Sequence, residues 1–217
     1  MAHSIRHIEA SVHGRVLVTP GTGTPRGFLI GFHGYAENAE VQLERLAAIP
    51  DASAWTLASI QGLNGFYRGR TQETVASWMT RQDREIAIPD NIRYVDSVVA
   101  SVCQGSAEVP IVCAGFSQGV AMAFRSAVRG RFRCAGIVAV GGDVPPELLD
   151  DPVARFPPVL IVRGMRDEWH TQGKLDADVS ALQARGVDVL SLVHPGGHEW
   201  TDIVSSEASR FLAARLV

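Results

Sequence analysis

Apolar residues in this chain fall into short dense runs, separated by stretches in which they recur every three or four positions. The dense runs cover residues 27–32, 55–60, 109–114, 134–140, 158–162 and 187–193. Several are apolar almost throughout, the pattern of strands covered on both faces. The intervening stretches predict amphipathic helices over 37–49, 90–104, 118–129 and 174–185, with Val204, Ala208, Phe211 and Leu212 marking a last one. Pro89 suits the first turn of the second helix, where a missing N–H costs nothing. Gly130 and Gly186 are placed to end the third and fourth. Residues 5–19 predict one or two edge strands, with a turn at His13-Gly14. Strand–helix alternation of this kind specifies an α/β fold with a mostly parallel central sheet and helices on both faces. No repeat or linker divides the chain, so residues 1–217 read as one domain.

Composition narrows the function. The chain has 217 residues, 46% hydrophobic and 20% charged, with a net charge of -3. That is an ordinary folding composition, with no basic field for nucleic acid and no apolar run long enough for a membrane helix. Cys103, Cys113 and Cys134 include no CxxC pair and predict neither a disulfide framework nor a zinc site. Cys113, inside an apolar run, reads as a small buried hydrophobe. Residues 1–12 lack the apolar core of a secretory signal. Together these features lead to the expectation of a cytoplasmic protein.

In open parallel sheets ligands bind beyond the carboxyl ends of the strands, so the chemistry is sought in the loops that follow them. The clearest signal is Gly115-Phe116-Ser117-Gln118-Gly119, which closes one apolar run and opens a helix. G-x-S-x-G in that context is a nucleophile elbow, a sharp turn that projects the serine and the next N–H into one space. A serine hydroxyl needs a base. With chain order serine, acid, histidine, the base is His198 in the Gly196-Gly197-His198 loop after the last strand. The orienting acid follows the strand ending near Val162. Asp167 fits best, with its neighbour Glu168 and the earlier Asp143 as alternatives. The oxyanion donors are assigned to the backbone N–H of Gln118 and, from the His33-Gly34-Tyr35 loop, that of Tyr35, with Gly34 as alternative. His33 reads as a brace for that loop rather than a base. Residues 21–27 are glycine-rich but precede a strand, so a dinucleotide-binding loop is excluded. No histidine–carboxylate spacing suggests a metal site, and no cofactor is expected.

Taken together, G-F-S-Q-G at Ser117, H-G at His33-Gly34, Ser77-Trp78 and G-G-H at His198 resemble the phospholipase/carboxylesterase family. That family is a group of α/β-hydrolases that includes acyl-protein thioesterases and small carboxylesterases. The resemblance runs in order over nearly the whole chain. It implies an α/β-hydrolase fold, Ser117 as nucleophile, Asp167 as acid, His198 as base, and Tyr35 and Gln118 as the oxyanion hole. It further implies an acyl pocket near Gly34 and the 61–79 segment, bordered by Phe66, Tyr67 and Trp78. The expected partner is a small-molecule ester, and the expected state a monomer or weak homodimer. The chain departs from the family's pattern in four places: Asp167 precedes Glu168-Trp169 rather than proline, Val120 stands where a third glycine is common, His198 sits in Gly-Gly-His-Glu-Trp, and residues 60–70 differ from the proline-rich stretch of the protein-deacylating members. These departures favour a small-ester hydrolase over one acting on lipidated protein. The competing readings are a thioesterase or lysophospholipase for longer chains, and a non-catalytic binding module on a hydrolase fold.

Overall fold

The computed structural model describes residues 3–104 and 109–215. Its centre is a seven-stranded sheet built from β1 (Val16–Thr19), β2 (Phe28–Phe32), β3 (Thr56–Ile60), β6 (Ile111–Phe116), β7 (Cys134–Val140), β8 (Val159–Gly164) and β9 (Val189–His194). The spatial order is β1-β3-β2-β6-β7-β8-β9. Only β1 runs antiparallel to its neighbour; every other pairing is parallel. Each strand predicted from a dense apolar run is present.

The side-chain period of a strand explains why those runs are apolar at nearly every position. Phe28, Ile30, Phe32, Cys113, Ile137, Ala139 and Ile161 face one side, where they pack with Val95 and Val99 of α2 (Arg84–Val102), Met122 and Phe124 of α3 (Gln118–Arg129), and Leu175 and Leu182 of α5 (Gln172–Ala184). Leu29, Leu57, Val112, Ala114, Val138, Leu160 and Val162 face the other side. There they meet Leu46 of α1 (Ala39–Ala47) and Val204, Ala208 and Phe211 of α6 (Asp202–Arg215). A short helix, α4 (Pro146–Leu149), follows β7.

Three elements differ from the sequence pattern. The helix α2 starts at Arg84, so Pro89 lies in its second turn rather than its first. Pro89 and Glu85 are both exposed, so the Glu85 carbonyl that loses its intrahelical donor faces solvent. Residues 64–77 form a two-stranded antiparallel hairpin, β4 (Asn64–Arg68) and β5 (Glu73–Ser77), where the pattern showed no strand. The whole of β4 is exposed and mixes polar with aromatic residues, so it carries no burial signal. At the N-terminus only Val16–Thr19 becomes a strand; described residues before it have no regular structure, and His7 meets Asp83 at 3.0 Å.

The topology selects one crevice. From β2 the chain moves outward to β3 and then returns to the other side of β2 as β6. The loops after β2 and β6 therefore leave the sheet in opposite senses, and they start side by side, with Phe32 paired to Gly115. Such a switch point opens a cleft at the strand ends. The His33-Gly34-Tyr35 loop and Ser117 are the two segments that border it.

Candidate active site

Ser117 sits between β6 and α3 with φ 53 and ψ -120, a conformation sparsely populated by residues other than glycine. The turn is possible because its flanks are bare. A Cβ on Gly115 would press on the Gly119 backbone, and one on Gly119 would collide with the Phe32 carbonyl. Val120, which replaces the third glycine common in the resembled family, also finds its space at a glycine. A Cβ at Gly142 would stand 2.7 Å from Val120 Cβ and 2.5 Å from the Ser117 carbonyl oxygen.

A continuous hydrogen-bonded line runs from the serine. Ser117 Oγ lies 2.9 Å from His198 Nε2, and His198 Nδ1 lies 2.8 Å from Asp167 Oδ2. These three residues come from the ends of β6, β9 and β8. The other carboxylate oxygen of Asp167 accepts the backbone N–H groups of Trp169 (2.8 Å) and His170 (2.9 Å). Burial alone would raise the Asp167 carboxyl. The His170 N–H, the His198 ring and the Trp169 N–H outweigh it and hold the group below its ordinary value of 3.8. An ionised, buried carboxylate fixes the imidazole with Nδ1–H toward the acid and the Nε2 lone pair toward the serine hydroxyl. The alternatives for the acid lie elsewhere: Glu168 is exposed, and Asp143 pairs with Lys174 at 2.9 Å.

The loop after β2 offers backbone donors. The Gly34 N–H already donates to Glu37 Oε2 at 2.7 Å, which removes Gly34 as an oxyanion donor. The N–H groups of Tyr35 and Gln118 have no acceptor among the described residues. His33 is buried, its Nδ1 pairing with the Gly34 carbonyl at 2.7 Å while Nε2 accepts the Gly62 N–H at 2.9 Å. Burial lowers its pKa against the pull of that carbonyl. A neutral imidazole bonded at both nitrogens is a brace, as its sequence position suggested.

The motifs that seemed separate along the chain interlock here. Gln118 Oε1 accepts the Trp78 N–H at 3.0 Å, and its Nε2 donates to the Met79 carbonyl at 2.9 Å. Trp78 Nε1 donates to the His33 carbonyl at 2.9 Å, and its ring stacks on the His33 ring. Trp78 is thus a fully buried tie between three loops and is not among the residues that line the Ser117 cleft, which differs from the expectation for it. Phe66 and Tyr67 stand on the exposed hairpin, Phe66 beside the Tyr35 ring. The hairpin in turn clamps the loop, with Ala36 N–H to the Ala76 carbonyl and Ala76 N–H to the Glu37 carbonyl. The cavity that contains Ser117 measures about 330 Å³ and is walled instead by residues including Ala121, Arg125, Gly142, Val144 and Trp169. A larger hollow of about 930 Å³ surrounds Phe132 and Pro158, at the opposite end of the strands.

Sequence reading missed a second support. Arg45 grips Glu37 through two 2.6 Å bonds, and its guanidinium lies 4.0 Å over the Phe116 ring, which touches the His198 ring. Only the i, i+8 spacing across the start of α1 hints at this pair. Burial would raise the Glu37 carboxyl, but Arg45 and the Gly34 N–H hold it below its ordinary 4.5. A depressed carboxylate stabilises the fold above its unfolded-state pKa, and that contribution is lost as pH falls through the lower folded value. Glu37→Gln is therefore expected to lose about 1.5–3 kcal/mol at pH 7. The gap to wild type should close as the pH drops below about 4. Thermal unfolding between pH 7 and pH 3 checks this; a gap of constant size would remove the charge from the explanation.

The fold is that of the α/β-hydrolase class, and the hydrogen-bonded Ser117–His198–Asp167 line lies at the ends of its strands. A model of the phospholipase/carboxylesterase family matches residues 18–151, more than half of the chain, and the chain belongs to that family. The matched segment includes Tyr35, Ser117 and Gln118 and ends before Asp167 and His198. No curated protein sequence matches the chain. Among solved structures it is similar to esterase PE8, at 20% identity over 94% of this chain and 100% of that one, with a TM-score of 0.74. The acyl-protein thioesterase 2 of Zea mays gives 18% identity over 94% and 100%, with a TM-score of 0.75. The Bacillus cereus carboxylesterase gives 16% over 92% and 93%, with a TM-score of 0.69. At these identities the likeness carries the fold. Within the family, the chain is a carboxylic ester hydrolase.

Proposed function

We propose that the chain hydrolyses esters of short to medium acyl chains through an acyl-enzyme on Ser117. The observation that carries this reading is the hydrogen-bonded line from Ser117 through His198 to Asp167, with two unclaimed backbone N–H groups at the same crevice. Ser117 Oγ attacks the carbonyl carbon while His198 Nε2 takes its proton. The oxyanion that forms is held by the N–H groups of Tyr35 and Gln118. His198 then protonates the departing alcohol, and the same imidazole activates water to release the acid. Asp167 stays ionised throughout and stabilises the imidazolium.

Acyl length is read from the cleft. It is modest in volume, and Arg84, Arg125 and Lys174 stand on its wall, a poor lining for a long apolar chain. This supports the small-ester reading over a thioesterase or lysophospholipase for long chains. Hydrolysis of p-nitrophenyl esters from acetate to palmitate is expected to peak at the short end and fall steeply beyond about eight carbons, the length at which ~0.8 kcal/mol per buried CH₂ needs apolar wall to be realised. A maximum at twelve carbons or longer would move the assignment to the long-chain reading. Labelling by a fluorophosphonate should add one adduct, on the peptide that carries Ser117; an unlabelled Ser117 would return the fold to a binding role.

No described helix is long and apolar enough to cross a membrane. We place the chain in the cytoplasm as a monomer or weak homodimer with no nucleic-acid partner. Cys103, Cys113 and Cys134, all free thiols, support a reducing compartment.

A further inference from the structure

Behind the loop that carries Asp167 lies a second cluster, which ester hydrolysis does not use. The His170 side chain is 1% exposed, and neither of its ring nitrogens has a hydrogen-bond partner among the described residues. A buried imidazole with both nitrogens unpaired loses about 1–3 kcal/mol per unmet group. Its Nε2 is aimed between two carboxylates, 3.7 Å from Asp178 Oδ2 and 3.8 Å from Asp143 Oδ1. Both distances are too long for hydrogen bonds. They suit donors that share an ion, because two ligands about 2.1 Å from a tetrahedral centre stand about 3.4 Å apart. One donor atom from each of the three residues lies within 4.8 Å of the other two. We propose that Asp143, His170 and Asp178 form a binding site for one divalent transition-metal ion of the zinc type.

The surrounding contacts leave the required lone pairs free. Asp143 splits its oxygens: Oδ2 takes the Lys174 ammonium at 2.9 Å, and Oδ1 turns to His170. Asp178 Oδ2 accepts the Val144 N–H at 3.0 Å, an outer-shell bond that orients the carboxylate and leaves room for an ion. The His170 backbone is held at both ends, its N–H on Asp167 Oδ1 and its carbonyl on Arg163 Nε at 2.9 Å. Two carboxylates stand against one ammonium here, an excess of negative charge that a bound cation would offset. One nitrogen and two oxygen donors select zinc or its neighbours over magnesium or calcium, which prefer an all-oxygen shell. Asp143 is half-exposed on the rim of the Ser117 cleft, so the cluster can be reached from solvent. The ion would pin the loops after β7 and β8 to α5, directly behind the Asp167 loop. The spacing of the three residues along the chain matches no metal motif because they come from three elements, which is why sequence reading expected none.

The test uses the full chain, stripped with a chelator and dialysed against zinc chloride, with bound metal measured by mass spectrometry and thermal unfolding followed in parallel. One equivalent of zinc is expected, with a raised Tm, and millimolar magnesium should not displace it. Asp143→Ala and His170→Gln should each weaken binding at least about tenfold. His198→Ala should bind as wild type does, which separates this site from the partly buried imidazole beside Ser117. Asp143 is at the surface, so its variant tests the site even if His170→Gln fails to fold. Absence of stoichiometric zinc on the wild-type chain, unchanged binding in Asp143→Ala, or binding lost only in His198→Ala would each overturn the proposal.

Discussion

Replacement of Ser117 by alanine is expected to lower kcat for ester hydrolysis by roughly 10⁶-fold, the scale seen when a serine nucleophile is removed from a triad. The fold should not change. The hydroxyl caps no helix, and its one hydrogen-bond partner is His198. Alanine meets the same constraint at φ 53 as serine does, so the turn gains little strain. Tm should therefore stay within about a degree of wild type, since a surface-like deletion of one hydroxyl is worth under ~0.5 kcal/mol. Single-turnover assays on p-nitrophenyl acetate, with unfolding curves beside them, give both numbers. Retention of more than about a hundredth of the wild-type rate, far above the 10³–10⁴-fold over water left by binding alone, would mean that another group attacks the carbonyl.

Asp167→Asn carries the second large effect, a fall in kcat of about 10⁴-fold. The amide keeps an oxygen for the N–H groups of Trp169 and His170, so the loop retains its shape. What changes is the proton on the imidazole. An amide N–H facing His198 Nδ1 moves the ring proton to Nε2, where it points at Ser117 and can no longer accept. KM should move little, because Asp167 lies behind the histidine and does not line the cleft. Asp167→Ala is expected to be as slow and also less stable, since the buried His170 N–H then loses its acceptor at about 1–3 kcal/mol. A rate near wild type in Asp167→Asn, with Glu168→Gln or Asp143→Asn slow instead, would transfer the role of acid to the slow position.

Ser117, Asp167 and His198 were legible in the sequence because each follows a strand whose apolar run is unmistakable. A parallel sheet places consecutive strand ends on one rim, so position in the chain converts directly into position in space. The same logic found the Tyr35 loop. It failed wherever a residue acts through a contact that no period encodes. Trp78 was read as a wall of the pocket and is a buried tie, because an aromatic residue in a loop looks the same whichever way it turns. The hairpin was invisible because β4 is exposed throughout and its aromatic residues alternate with nothing buried. The Arg45–Glu37 grip, and the meeting of Asp143, His170 and Asp178, depend on side-chain reach between elements, which emerges only once the elements are packed.

The strand between those that end at Ser117 and Asp167 adds nothing to the hydrogen-bonded line, yet its end is as constrained as theirs. Gly141, at φ 67, would bring a Cβ to 3.1 Å from the His198 ring, and Gly142 leaves the space that Val120 fills. In a saturation mutagenesis screen scored by turnover, these two positions would be as intolerant as the triad itself. Anyone who enlarges the cleft for a bulkier ester would do better to trim Trp169, which lines it, than to decorate the turn beyond β7, because vacancy at that turn is what lets the imidazole reach its serine.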